Sequence, residues 1–333
     1  MKQRHYIGLI ALLATALTSC VHDFPNDGGV DPTLVEVSTE VTLAPGFIPL
    51  EITPAEVKSR TADGWRRRFV VSALREGKEV ARQITVTDEI TGQDGKLLLP
   101  ARLKLHALEY TLTVWADYVK DETGTDVYYD TRDLSSVVCI APYTGGTDRR
   151  DCLYGTATID LRRYRDEWNA HEQASISLVR PQTKYSIVAT DVQKFLAKIG
   201  QKADADLASY TITFSYGFYI PLGFDVLTGR PAHSKTGVTF TLPLTLPADG
   251  QEECCIGSDY VFVNGQESSV LLGIEIKDGT GKTVSRTTGL EVPYRRGHIT
   301  TVRGPFLTNE MQGGITIDPG FDGEIYVDID TLY

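Results

Sequence analysis

The chain has 333 residues, more than one hydrophobic core ordinarily serves, so two domains are expected. Lys and Arg number 33 against 44 Asp and Glu, a net charge of −11, and so acidic a chain lacks the positive field that phosphate binding needs, which excludes nucleic acid as an expected partner. Sixteen Tyr against two Met, with Thr and Val abundant, favour sheet over helix.

The chain opens with a basic segment, Met1 to His5, followed by an uncharged apolar run from Tyr6 to Ala16. That run is too short to span a bilayer as a mature helix, and its charged flank is the layout of a secretory signal peptide. It ends in Leu17-Thr18-Ser19-Cys20, which resembles the lipobox read by lipoprotein signal peptidase. The expectation is a signal peptide over residues 1–19 and a diacylglycerol on Cys20, holding the chain at the outer membrane. Several acyl chains, each worth about 0.8 kcal/mol per buried CH₂, hold far more firmly than one. Residues 20–33 carry Asp23, Asn26, Asp27, Gly28, Gly29 and Asp31 and read as a flexible tether.

From Leu34 to Leu43, Val35, Val37, Thr39, Val41 and Leu43 alternate with Glu36, Ser38, Glu40 and Thr42, the period of a half-buried strand. Further strands are expected at Phe69 to Leu74, Gln83 to Thr87, Tyr110 to Tyr118, Val127 to Tyr129 and Thr156 to Leu161. The charged stretch Arg162 to Gln173 holds the expected boundary, dividing residues 34–168 from residues 169–333. The second half then opens with strands at Ile176 to Val179 and Tyr185 to Ala189. One amphipathic helix follows, with Thr190 or Asp191 as N-cap, Val192, Phe195, Leu196 and Ile199 on one face, and Gly200 as stop. Strands at Tyr210 to Ile220, Val238 to Leu246, Val270 to Lys277, Thr283 to Thr287, Ile299 to Leu307 and Glu324 to Ile329 complete the chain. Strands joined by Gly, Pro and Asp turns without alternating helices indicate a mainly β protein of two antiparallel β-sandwiches, with one short helix in the second.

Beyond Cys20 only Cys139, Cys152, Cys254 and Cys255 remain, too few for a disulfide framework. Cys139 and Cys152 are either one bridge closing a short loop or two free thiols. Adjacent Cys254 and Cys255 cannot pair without strain, and no histidine stands at a zinc spacing from them. His106, His171, His233 and His298 are far apart and show no metalloprotease spacing, and neither a nucleophile elbow nor a phosphate loop is present. No cofactor, metal or catalytic residue is expected, and the chain is not read as an enzyme.

Several short stretches together resemble the fimbrillin-like lipoproteins of Bacteroides-type bacteria, the subunits and anchors of type V pili. They are Trp115-Ala116-Asp117-Tyr118, Tyr128-Tyr129-Asp130-Thr131, Arg149-Arg150-Asp151 before Tyr154-Gly155, Arg180-Pro181-Gln182-Thr183-Lys184, Arg295-Arg296-Gly297-His298-Ile299-Thr300-Thr301-Val302 and Gly314 to Phe321. The resemblance implies two transthyretin-like sandwiches, export as a lipoprotein, and assembly with other fimbrial subunits by strand exchange. In that scheme an Arg-specific protease removes the first strand, here Leu34 to Leu43, and another subunit's C-terminal strand fills the groove. Arg60 is the candidate processing site, with Arg66, Arg67 and Arg68 competing. The donor candidate is Glu324 to Ile329, where Ile325, Val327 and Ile329 alternate with polar neighbours. The region from Ile84 to Leu108 departs from the family pattern. The alternative is a surface lipoprotein that binds glycans or another host or bacterial ligand through exposed aromatics, Trp65, Trp115 and Trp168 being the only tryptophans.

Overall fold

The structure is a computed structural model that describes residues 34–44, 64–87, 96–200, 207–247, 250–308, 310–312 and 325–328. Cys20, Arg60 and Ile329 lie outside the described residues.

The expected first strand forms as β1 (Leu34–Thr42), with Val35, Val37, Thr39 and Val41 turned inward. β2 (Arg66–Arg75) and β3 (Lys78–Thr87) make a hairpin whose two-residue turn places both Glu76 (φ 52°) and Gly77 (φ 76°) in the left-handed region, the geometry that matches strand twist. β4 (Lys96–His106) occupies most of the region that departs from the family pattern. Leu97, Leu99, Leu103 and Leu105 point inward, and the β1 pairing slips between Ser38 and Glu40, opposite Pro100. A proline cannot donate to the ladder and is tolerated at such a bulge. β5 (Glu109–Val119) is the strand with the clearest alternation in the first half, and it lies between β2 and β8 (Leu153–Asp160). Two sheets, β4-β1-β9 and β3-β2-β5-β8, enclose the first core once β9 (His171–Ser177) is added.

β9 corrects the expected boundary. Its residues 171–177 fall in the half assigned to the second sandwich, yet they pair in parallel with β1 from Glu36↔His171 to Thr42↔Ser177. Ala174, Ile176 and Leu178 are buried in the first core. The charged stretch before β9 is therefore a surface turn inside domain 1, and the chain passes to domain 2 beyond Leu178.

Domain 2 begins with β10 (Gln182–Ala189) and the expected helix α1 (Val192–Gly200), whose Val192, Phe195 and Ile199 are buried. Asp191, one of the two N-cap candidates, makes a distant contact: its carboxylate accepts from the backbone N–H of Leu307 (3.2 Å) and Thr308 (2.8 Å) and so ties down the C-terminal segment. β11 (Thr211–Tyr216) through β18 follow as β12 (Ile220–Asp225), β13 (Arg230–Lys235), β14 (Thr239–Pro243), β15 (Cys254–Phe262), β16 (Glu267–Lys277), β17 (Thr283–Arg295) and β18 (Ile299–Gly304). β19 (Glu310–Gln312) and β20 (Ile325–Asp328) complete two sheets, β15-β10-β18-β20 and β14-β11-β16-β17-β19, around the second core. Most pairs are antiparallel, as expected of the fold class; β1–β9, β10–β18, β17–β19 and β18–β20 are parallel.

A further sheet joins the halves. β6 (Tyr129–Asp130) and β7 (Val137–Cys139), an excursion between β5 and β8, pair with the β12–β13 hairpin of domain 2 in the order β13-β12-β7-β6. Beneath it lies a third apolar cluster drawn from both halves, including Val70, Trp115, Tyr129, Cys152, Phe224 and Phe262.

Candidate functional site

Two places carry the features singled out in the sequence: the slot filled by β1, and the domain junction. β1 is a central strand. β4 pairs with it antiparallel on one side and β9 parallel on the other, so both of its backbone edges are satisfied within domain 1. Its inward Val35, Val37 and Val41 are fully buried. The outward face is polar and cross-linked by side chains: Arg102 donates to Glu36, the Ser38 hydroxyl donates to the Glu172 carbonyl (3.2 Å), and Gln173 and Ser175 donate to Glu40 (3.4 Å each). The hydrogen bond from Arg102 holds the Glu36 carboxyl below its ordinary range.

The same arrangement recurs in domain 2, where β10 lies between antiparallel β15 and parallel β18. β20, which carries the donor candidates Ile325 and Val327, lies outside β18 and pairs with it in parallel from Thr300↔Ile325 to Arg303↔Asp328. If β1 left, unpaired edges of β4 and β9 and an apolar slot would face solvent, and an extended strand would satisfy both.

The junction gathers nearly all the stretches on which the family resemblance rests. Arg68 makes a two-pronged pair with Asp117 (2.8 and 2.6 Å), which also accepts from the Trp115 indole (3.1 Å), and its remaining nitrogen donates to the Gly124 carbonyl (2.6 Å) and to Asp126 (2.5 Å). Arg180 grips Asp151 in the same manner, at 2.8 to 3.2 Å. Arg150, from the Arg-Arg-Asp stretch, reaches into domain 2: its guanidinium lies 4.2 Å from the Tyr143 ring centroid and 3.6 Å from Asp259. Asp259 accepts from the hydroxyls of Tyr143 (2.6 Å) and Tyr216 (2.7 Å). Gln182 donates to the Tyr129 hydroxyl (2.8 Å), which donates to the Arg150 carbonyl (2.5 Å). Arg296 donates to the Tyr154 hydroxyl (3.1 Å) and to the Val263 carbonyl (2.7 Å). The buried charges of three pairs, Arg68 with Asp117, Arg180 with Asp151 and Arg150 with Asp259, each have an opposite partner, the condition for keeping charge in an interior. Gly155 permits the close approach here, since a Cβ at that position would stand 2.6 Å from the Ser177 carbonyl oxygen.

The Cys139–Cys152 bridge is not formed. Both are free thiols with separate partners: Cys152 donates to Gln182 Oε1 (3.2 Å), whereas Cys139 accepts from Arg150 (3.4 Å). Burial pushes the Cys139 thiol up to about 11 and Cys152 well above the ordinary thiol range. Thiolate is the reactive form, so neither should react at neutral pH while the chain is folded. In the native protein, thiol labelling at pH 7 is expected to modify exposed Cys255 first and leave Cys139 and Cys152 intact. Denaturation without reductant is then expected to release both; a bridge would keep both unlabelled.

Trp115 is buried between the layers, and Trp65 stacks on Tyr128 at 5.6 Å with an interplanar angle of 7°. Large exposed aromatics stand elsewhere, at Trp168 and at the adjacent Phe218 and Tyr219. No periodicity flagged that last pair. Among the described residues no group of three or more His, Cys, Asp and Glu is placed to hold a metal ion.

Solved structures with a similar course of chain include a candidate adhesin from Bacteroides ovatus, with 11% identity, a TM-score of 0.44, and coverage of 76% of this chain and 77% of that one. The fimbrial anchor protein Mfa2 from Porphyromonas gingivalis is 12% identical, with a TM-score of 0.40 and coverage of 76% and 82%. A fimbrial assembly protein from Parabacteroides distasonis is 10% identical, with a TM-score of 0.36 and coverage of 81% and 90%. No match is found among curated proteins. Residues 32–332 match a family of unknown function (DUF6562), and the chain belongs to that family.

Proposed function

We propose that this chain is a lipid-anchored cell-surface subunit or anchor of a fimbria, and that β1 is its exchangeable strand. The observation that carries the reading is the position of β1: a central strand, paired on both sides, whose only covalent link to the rest of its domain runs through residues 43–65, which include Arg60. Cutting at Arg60 would free β1 without severing any other strand among the described residues. An incoming strand with alternating apolar residues, such as that carrying Ile325, Val327 and Ile329, has the pattern the slot requires. Lipid on Cys20 would hold the uncut chain at the outer membrane, and a cut after Arg60 would release it together with β1, so an anchor keeps both and a stalk subunit loses both; other fimbrial subunits are the partners in either case.

The test is mild trypsin treatment of the chain lacking residues 1–20, followed by intact mass and an unboiled denaturing gel. The expected result is loss of the segment through Arg60 together with a ladder of heat-sensitive multimers. A resistant monomer would remove the exchange reading and leave an uncut anchor or a binding module.

A second reading, a surface module that binds glycans, is favoured by adjacent Phe218 and Tyr219, which are 69% and 73% exposed. Aromatic faces of this kind suit the apolar faces of sugars. Replacing both with Ala should abolish glycan retention under that reading and leave multimer formation untouched.

A further inference from the structure

Among the described residues, the end of domain 1 at which the chain enters β1 is the end that exposes its most accessible large hydrophobic side chain. Leu34 opens β1 opposite His106, and the strand runs toward Thr42, whose carbonyl accepts from Leu178 beside the domain junction. At about 3.3 Å per residue, the Leu34 end stands roughly 25 Å from the junction end. Trp168 is at the Leu34 end. It precedes Asn169, whose left-handed φ of 56° turns the chain into buried Ala170, and the Ala170 carbonyl accepts from the Glu36 N–H (2.9 Å). That turn leaves the indole 79% exposed, beside Leu34 at 43%. Together with Glu36, Lys104, Asn169, Ala170 and His171 these two side chains line a cleft of about 570 Å³. The other tryptophans are at the opposite end of the domain or inside it: Trp65 immediately precedes β2, whose first residue pairs with Val119, and Trp115 is fully buried.

We propose that Trp168 is a membrane-interface contact, lying at headgroup level on the bilayer to which the tether is joined; this rests on the reading that Cys20 carries lipid. The length of chain outside the described residues argues for this occupant over a protein partner. Only fourteen residues, 20–33, separate the expected lipid from β1, and a random chain of that length has a root-mean-square span of about 20 Å, so under that reading the Leu34 end is held near the membrane. An indole has an apolar body and one N–H donor, the combination that places Trp at membrane–water boundaries. The contact rests on the indole and not on charge: Arg162 is matched by Asp160 and Glu109, Arg163 by Glu172 and Arg102 by Glu36, and Lys104 in the cleft acts on the same Glu36 carboxyl. The consequence is orientation. With the Trp168 end seated on lipid, β1 stands upright, and domain 2 points away from the membrane.

The test uses the full lipidated chain in phosphatidylcholine vesicles, with ordinary or brominated acyl chains, and reads tryptophan emission. Brominated lipid is expected to quench up to about a third of the emission, the share of one tryptophan among three, and Trp168→Phe is expected to abolish that quenching while the protein stays vesicle-bound. Equal emission in both vesicles from a chain whose mass includes the lipid would overturn this proposal alone. A mass without lipid on Cys20 would overturn the anchor reading and this proposal with it. Cys20→Ala should fail to sediment with vesicles, because one indole cannot replace the acyl chains; sedimentation equal to that of the lipidated chain would overturn the anchor reading.

Discussion

Replacing Arg150 with Ala is expected to destabilise the folded chain by about 3–5 kcal/mol, measured by urea denaturation, because it strands the Asp259 carboxylate in the interior without its cation. The Arg150 and Asp259 side chains are 3% and 0% exposed, so water cannot take the place of the missing charge. Arg150 also donates to the Thr144 carbonyl (2.7 Å) and lies over Tyr143, holding the excursion between β5 and β8 against the second core. The double variant Arg150→Met with Asp259→Leu is expected to lose much less than Arg150→Ala, since the cost lies in the unpaired charge more than in the absent pair. Because that excursion supplies β6 and β7 to a sheet completed by domain 2, the wild-type chain should unfold in one transition. Two separated transitions, with only one moved by Arg150→Ala, would show that the junction does not couple the halves.

Val37→Asp is the second large effect, and it discriminates between functions. Val37 is fully buried, paired with Leu103 of β4 and with Glu172 of β9. A carboxyl there has no partner, and the expected cost is about 4 kcal/mol, seen as a fall in the denaturation midpoint of the uncut chain. If β1 is discarded before assembly, the same variant should be cut faster after Arg60 and still form multimers, because the damaged strand is no longer part of the product. A variant that is destabilised and also unable to assemble would mean that β1 stays in the assembled form.

Period two made β1 and β5 legible, and the helix was legible from Val192, Phe195 and Ile199, because each pattern is local and one face is buried. β4 was not: Leu97, Leu98 and Leu99 run together, Pro100 follows, and the alternation emerges only across a bulge whose position is set by β1. β9 was assigned to the wrong half because the charges of Arg162 to Gln173 read as a linker, while its parallel pairing with β1 spans more than a hundred residues and leaves no local trace. Asp191 has the residue type and position of an N-cap, and its carboxylate also accepts from Leu307 and Thr308, a tertiary contact that leaves no trace in the local pattern. The junction was visible only as scattered motifs. Buried charge needs opposite charge, and the folded chain puts Arg180 beside Asp151, both from those motifs, and brings Arg68 to Asp117 and Asp259 to Arg150 from outside them. That β1 is central and not an edge strand, the property on which exchange depends, is likewise a fact of topology.

The most direct test of the exchange reading follows the C-terminal segment itself. Equal amounts of unlabelled and nitrogen-15-labelled chain are cut after Arg60, allowed to form multimers, and treated with a carbodiimide that joins touching carboxylates and amines. The account predicts mixed-isotope links from Glu324, Asp328 or Asp330 of one copy to Lys96 or Lys104 on β4 of another, with β1 absent from the multimers. Multimers that retain β1, with the C-terminal carboxylates linked only within their own chain, would contradict it.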